Sequence, residues 1–221
     1  MISADTAQHF STNTFAAEIA KVRRAACGED PNIFADIYQE ENNIVIWQRK
    51  LSTTLQEAVK AFLIANSGFQ TSMTVSPATA LTSVSQSLGR FEQTELSENI
   101  VELVDMFCCL FDLKRAGLRL TALDSAMCPK FHVDKVPCRL VTTYQGVATE
   151  WLPHESVDRS KLGARAGLLH NLKGVKQLSC GDVGLLKGES WEGNENAGLV
   201  HRSPSVLAGE NRLLLTLDFS H

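Results

Sequence analysis

The chain has 221 residues, with 21 Lys+Arg against 25 Asp+Glu for a formal charge of −4, and 44% of it is hydrophobic. That apolar content is too high for a disordered chain, and the mildly acidic balance supplies no electrostatic footprint for nucleic acid or an anionic membrane. The length fits one sizeable domain.

In chain order, helical periodicity comes first. Phe15, Ile19, Val22 and Ala26 form an apolar stripe that ends at Gly28 and predicts a first helix. The run Ile44-Val45-Ile46-Trp47 reads as a buried strand within 43–47. A second helix is predicted from Leu55, Ala58, Val59, Phe62 and Leu63, with Thr53 and Gln56 spaced as a capping box. The Ser- and Thr-rich stretch 70–87 carries no assignable period. Ile100, Leu103, Val104, Phe107, Leu110 and Phe111 recur at helical spacing and predict a third helix. Glu98 lies in its first turn, Lys114 and Arg115 in its last, and Gly117 just past its end.

After Gly117 the pattern changes to short apolar runs separated by turns. Strands are expected at 118–126, 131–134, 138–144, 147–152, 175–179, 183–187, 198–201 and 211–219. About eight short strands in succession suit a sandwich or barrel. A polar insertion at about 153–174 interrupts them. The class is therefore α+β. Residues 1–117 form a mainly helical region with one strand near 44–47, and 118–221 form a β core that carries the insertion.

No basic segment precedes an apolar core at the N-terminus, and no apolar stretch reaches the length that spans a bilayer. The six cysteines, Cys27, Cys108, Cys109, Cys128, Cys138 and Cys180, show no disulfide framework. Free thiols in a reducing, cytoplasmic compartment are expected, with neither nucleic acid nor membrane as partner.

The candidate chemistry lies in the β region. On a strand, residues two apart face the same side, so His132 and Asp134 would converge. His201 lies on a later predicted strand and Arg212 at the start of the last one. Two histidines and a carboxylate make the facial triad of non-haem Fe(II) sites, which leaves coordination positions open. An arginine on the neighbouring strand is suited to hold a co-substrate carboxylate. Arg139 is a further residue that could point into the barrel, whereas Arg202 alternates away from His201 and reads as a structural ion pair. Trp151 fits either core or pocket lining. His9, His154 and His170 read as surface residues.

This order resembles the double-stranded β-helix, a jelly-roll or cupin-like barrel, of Fe(II)- and 2-oxoglutarate-dependent oxygenases. The resemblance implies that His132, Asp134 and His201 ligate iron, that Arg212 pairs with the far carboxylate of 2-oxoglutarate, and that Tyr144 hydrogen-bonds the same carboxylate. It further implies an oxidoreductase, a dioxygenase of the hydroxylase type, acting on a substrate that the sequence does not name. The oxygenase pattern has Ser or Thr two residues after the arginine. Here that position is Leu214, so the hydroxyl comes from Thr216 or elsewhere.

Wider segments are similar to the bacterial "domain of unknown function 1826" family. They are Ile37-Tyr38, 43–49, the block Cys128-Pro129-Lys130-Phe131-His132-Val133-Asp134, Thr143-Tyr144-Gln145-Gly146 and Thr149-Glu150-Trp151. That family has a loose association with bacterial metal homeostasis. The alternative reading is therefore a zinc-binding cupin-like protein without oxygenase activity, drawing on Cys128 beside His132, Asp134 and His201.

Overall fold

The computed structural model describes residues 22–89, 94–159, 162 and 174–220. Helix α1 (Thr53–Ala65) buries Leu55, Val59, Phe62 and Leu63, the stripe the sequence predicts. Its cap lies one residue earlier than the expected box. The Ser52 hydroxyl accepts from the Leu55 amide at 3.1 Å, and Gln56 reaches back to the Leu51 carbonyl at 2.8 Å. The unassigned stretch folds as strand β3 (Gln70–Val75) and helix α2 (Pro77–Leu88). Pro77 sits in the first turn of α2, where a missing amide costs nothing. Helix α3 (Thr94–Leu110) buries Leu96, Ile100, Leu103, Val104 and Phe107. It stops before Lys114 and Arg115, and Gly117 already belongs to strand β4 (Ala116–Leu123).

The predicted first helix is not formed where the structure describes it. Arg24–Gly28 is strand β1, and the rest of that stripe before Val22 lies outside the described residues. The backbone of β1 pairs in parallel with β2 (Asn42–Trp47). The ready-made edge of β2 satisfies backbone groups that the weak spacing of Val22 and Ala26 would have put into a helix. Val22 stands outside the core, 62% exposed.

The remaining strands are β5 (Cys138–Gln145), β6 (Glu150–Leu152), β7 (Lys176–Gln177), β8 (Val183–Lys187), β9 (Val200–Arg202) and β10 (Arg212–Phe219). They make a seven-stranded sheet of order β1-β2-β8-β5-β10-β4-β3 and a three-stranded sheet of order β7-β6-β9. The expected strand at 131–134 shrinks to a single antiparallel bridge between His132 and His201. Of the insertion, a short 3-10 turn at His154–Ser156 is described, while 160, 161 and 163–173 lie outside the described residues.

Strand parity divides the large sheet into two faces. On β10, Leu213, Leu215 and Leu217 pack into the main core with α1, α2 and α3. Leu214 instead joins Ile44, Ile46, Val141 and Leu186 against Trp151, Leu178 and Leu199 from the side of the small sheet. The layers are thus helices, large sheet and small sheet, an α+β arrangement. Each fully buried Leu contributes roughly 1.5–3 kcal/mol, so the two cores fix the sheets and with them the site between. Among the described residues no helix is long and apolar enough to cross a membrane.

Candidate metal centre and anion pocket

His132 and His201 meet because their backbones do. Each amide donates to the other residue's carbonyl at 3.0 Å, and such a pair in antiparallel register projects both side chains to one face. The imidazole centroids are 4.5 Å apart. His132 Nδ1 lies 2.9 Å from the Lys130 carbonyl and His201 Nδ1 lies 3.2 Å from the Leu199 carbonyl. A carbonyl only accepts, so each Nδ1 carries the proton and each Nε2 keeps a lone pair for a ligand.

Both Nε2 atoms face Asp134. Its Oδ1 is 3.8 Å from His132 Nε2 and its Oδ2 is 3.4 Å from His201 Nε2. One ligand atom from each of the three residues lies within 4.8 Å of the other two, spacing that suits a single cation. Asp134 is not on a strand. Its loop is clamped to the end of β8: the Glu189 amide donates to the Asp134 carbonyl at 3.0 Å, and the Gly188 amide to the Pro137 carbonyl at 2.9 Å. A Cβ on Gly188 would collide with the Val136 carbonyl and come within 2.8 Å of the Asp134 carbonyl. Gly188→Ala should therefore displace this loop. We expect a stability loss of about 2 kcal/mol or more and a clear drop in metal affinity, read by chemical denaturation and by metal titration.

Arg139 holds the carboxylate from behind. Its Nη1 donates to Asp134 Oδ2 at 2.7 Å, while Nε and Nη2 donate to the two oxygens of Asp218 at 2.8 and 2.9 Å. Burial pushes the Asp134 carboxyl up. When the imidazoles are protonated, the hydrogen bond and charge of His201, with Arg139 and His132 behind them, overcome this and hold it below its ordinary range. His132 is also held below its ordinary value, first by burial and then by the neighbouring His201. A carboxylate and a neutral imidazole are the forms that bind a metal.

Arg212 lines a pocket together with His132 and His201 and is fully buried. Its Nη1 donates to Ser203 Oγ at 2.8 Å, and its Nη2 to Thr149 Oγ1 at 3.0 Å and Thr143 Oγ1 at 3.2 Å. Its Nε has no partner. No carboxylate pairs with it among the described residues. Burial pulls the guanidinium down to about 10, which leaves it charged at neutral pH. A buried cation without a counter-ion is costly, and this one also leaves its Nε without a hydrogen bond. Gly146 (φ 87°) sets the position: a Cβ there would lie 2.8 Å from the Asn211 carbonyl and 3.1 Å from Arg212 Cα.

The structure lines one pocket with His132, His201 and Arg212, sets Asp134 against the two histidines and leaves Tyr144 out. Strand β5 alternates: Cys138, Leu140 and Tyr144 join the helix-side core, while Arg139 and Thr143 face the pocket side. The Tyr144 hydroxyl donates to Asn99 Oδ1 at 3.0 Å, and burial holds it protonated. Its neighbour Thr143, on the other face, accepts from Arg212 instead. Tyr144→Phe should cost about 1 kcal/mol of stability, as chemical denaturation would show.

The hydroxyls around Arg212 thus come from Thr143, Thr149 and Ser203, not from Thr216. Sequence reasoning missed all three, although the parity of β5 singles out Thr143. Arg202 pairs with Glu150 and stacks on Phe131, as its alternation suggests. Trp151 belongs to the inter-sheet core. Cys128 is exposed and lines the pocket mouth, whereas Cys138 is buried on the opposite face of the sheet. His154 is half-buried with its Nδ1 3.5 Å from Arg159. His9, His170 and His221 lie outside the described residues.

Several solved structures are similar. The rice dioxygenase for auxin oxidation aligns with a TM-score of 0.50 and 12% identity, over 89% of this chain and 82% of that one. A 2OG-Fe(II) oxygenase family oxidoreductase from Burkholderia pseudomallei gives 0.44 and 13%, over 91% and 95%. A prolyl-4-hydroxylase from Pseudomonas putida gives 0.45 and 11%, over 86% and 98%. The likeness to the rice enzyme is one of fold. No curated protein matches the sequence. The family described as "Protein of unknown function (DUF1826)" matches residues 28–218, and the chain belongs to that family.

Proposed function

We propose that the protein is an Fe(II)- and 2-oxoglutarate-dependent oxygenase, built on a double-stranded β-helix, that oxidises an organic substrate. The observation that carries this reading is Arg212: a buried, charged guanidinium with an unpaired Nε and no carboxylate partner among the described residues, in the pocket lined also by His132 and His201 of the His132–Asp134–His201 cluster. A metal site alone fits many functions. A metal site that shares a pocket with a buried, uncompensated cation fits a ligand that chelates the metal at one end and presents an anion at the other.

In this reading His132 and His201 hold iron through Nε2, and Asp134 through its carboxylate. Two nitrogens and one oxygen on one face suit iron and leave positions open. Arg139 fixes the carboxylate of Asp134, so the ligand set is oriented before the metal arrives. Arg212 binds the far carboxylate of 2-oxoglutarate through Nε and Nη atoms, with the three hydroxyls holding the guanidinium plane. Val141, Leu186 and Leu214 give the pocket apolar walls, which exclude water. Iron with 2-oxoglutarate supplies oxidative decarboxylation of the oxo acid to succinate and CO₂, coupled to oxygen transfer to a substrate carbon.

The test is succinate formation by purified protein given Fe(II), 2-oxoglutarate and O₂. The reading expects slow turnover in the absence of substrate, abolished in His132→Ala. No succinate, together with tight stoichiometric zinc binding that needs His132 and His201, would replace it with the zinc-binding alternative.

A further inference from the structure

Four arginines line the pocket, and three of them have assigned partners. Arg139 is held by Asp134 and Asp218, Arg202 by Glu150, and Arg212 by its hydroxyls. The Arg119 side chain has no hydrogen bond or ion pair among the described residues. Strand register identifies what surrounds it, since directly paired residues share a face of a sheet. Arg119 is opposite Thr216 on β10 and Ser72 on β3. Gly117 and Thr121 precede and follow it on its own strand face. The diagonal positions are Leu214, Asp218, Gln70 and Thr74. The one acid among these neighbours, Asp218, already accepts from Arg139 on both oxygens.

A second observation points the same way. Thr121 lines the pocket, is only 5% exposed, and its hydroxyl has no partner. Arg119 itself is exposed. The pocket therefore offers, at a position separate from Arg212, an accessible and uncompensated guanidinium beside a buried, unused hydroxyl. Val141, Leu186 and Leu214 form the apolar walls.

We infer that Arg119 is a specificity residue and that the pocket takes a small organic carboxylate, its anionic end on Arg119 and Thr121 and its hydrocarbon part on the apolar walls. One guanidinium among neutral hydroxyls balances one negative charge and matches a carboxylate in bidentate fashion. Most of a small-molecule site is apolar, with a few polar groups fixing orientation, and this pocket has that composition. The inference rests on the oxygenase reading only in calling the bound molecule the substrate.

The test titrates the protein, loaded with Mn(II) and 2-oxoglutarate, by calorimetry with straight-chain carboxylates from butanoate to decanoate and with the primary amides of the same chains. Acids should bind, with the amides and the Arg119→Gln variant each at least tenfold weaker, while the variant keeps its affinity for 2-oxoglutarate. Equal binding of acids and amides, unchanged acid binding by Arg119→Gln, or no binding by either series would overturn the inference. Arg119-dependent acid binding by a protein that takes up no 2-oxoglutarate would uphold it and overturn the oxygenase reading instead.

Discussion

Arg212→Met should weaken 2-oxoglutarate binding by about a hundredfold or more while leaving the metal in place. A buried charged partner lost from a ligand carboxylate costs about 3–5 kcal/mol. Calorimetry on the Mn(II)-loaded protein measures the affinity, and the metal titration runs alongside. The same substitution should not destabilise the ligand-free protein, and a small rise in its melting temperature is expected. The depressed value of Arg212 means that folding disfavours its protonated form. The native state binds fewer protons only above about pH 10, so stability rises with pH there. At neutral pH both states carry the charge, and the desolvation cost stands in full. Methionine removes that cost with a side chain of similar length. Wild-type affinity for 2-oxoglutarate in this variant would show that the guanidinium serves the fold alone.

Asp134→Ala should lower metal affinity by at least a thousandfold, because it removes the one anionic ligand and leaves two neutral imidazoles. Arg139 would keep Asp218 as its partner, so the β5–β10 pairing should survive and the loss should be confined to the site. Paramagnetic resonance of free Mn(II) reads the change directly. The pH dependence has a defined sign. Asp134 is held below its ordinary range and His132 below its own, so the ligand set is ready at neutral pH. Uptake should fail only as pH drops below the ordinary histidine value of about 6.5. An Asp134→Ala protein that still binds metal as the wild type does would place the ion elsewhere.

How far the site is legible in the sequence depends on which residues strand parity controls. His201 and Arg212 are readable because both lie on strands flanked by clear apolar runs. His132 and Asp134 converge as expected, but through a different device. Only His132 is bridged, and Asp134 reaches it from a loop fixed by the amides of Glu189 and Gly188, contacts between segments far apart in sequence. Tyr144 is close to the site in sequence, yet parity turns it into the helix-side core. Arg139 and Tyr144 lie on one strand at odd and even positions, so they cannot both face the pocket. Strand β1 is illegible for another reason: Arg24-Ala25-Ala26-Cys27-Gly28 has little strand propensity, and its conformation is imposed by the edge of β2. The helices are legible where burial follows the helical period, as in α3. Helix α2 is not, because its apolar residues Ala80, Val84 and Leu88 are diluted by serine and threonine.

The most direct test of the oxygenase reading is anaerobic reconstitution with Fe(II) followed by 2-oxoglutarate, watched for the visible charge-transfer band of a chelated 2-oxo acid. The band is expected in the wild type. It should be lost in His132→Ala for want of metal, and lost at ordinary 2-oxoglutarate concentration in Arg212→Ala. No band in the wild type, with stoichiometric zinc bound through His132 and His201, would contradict that reading.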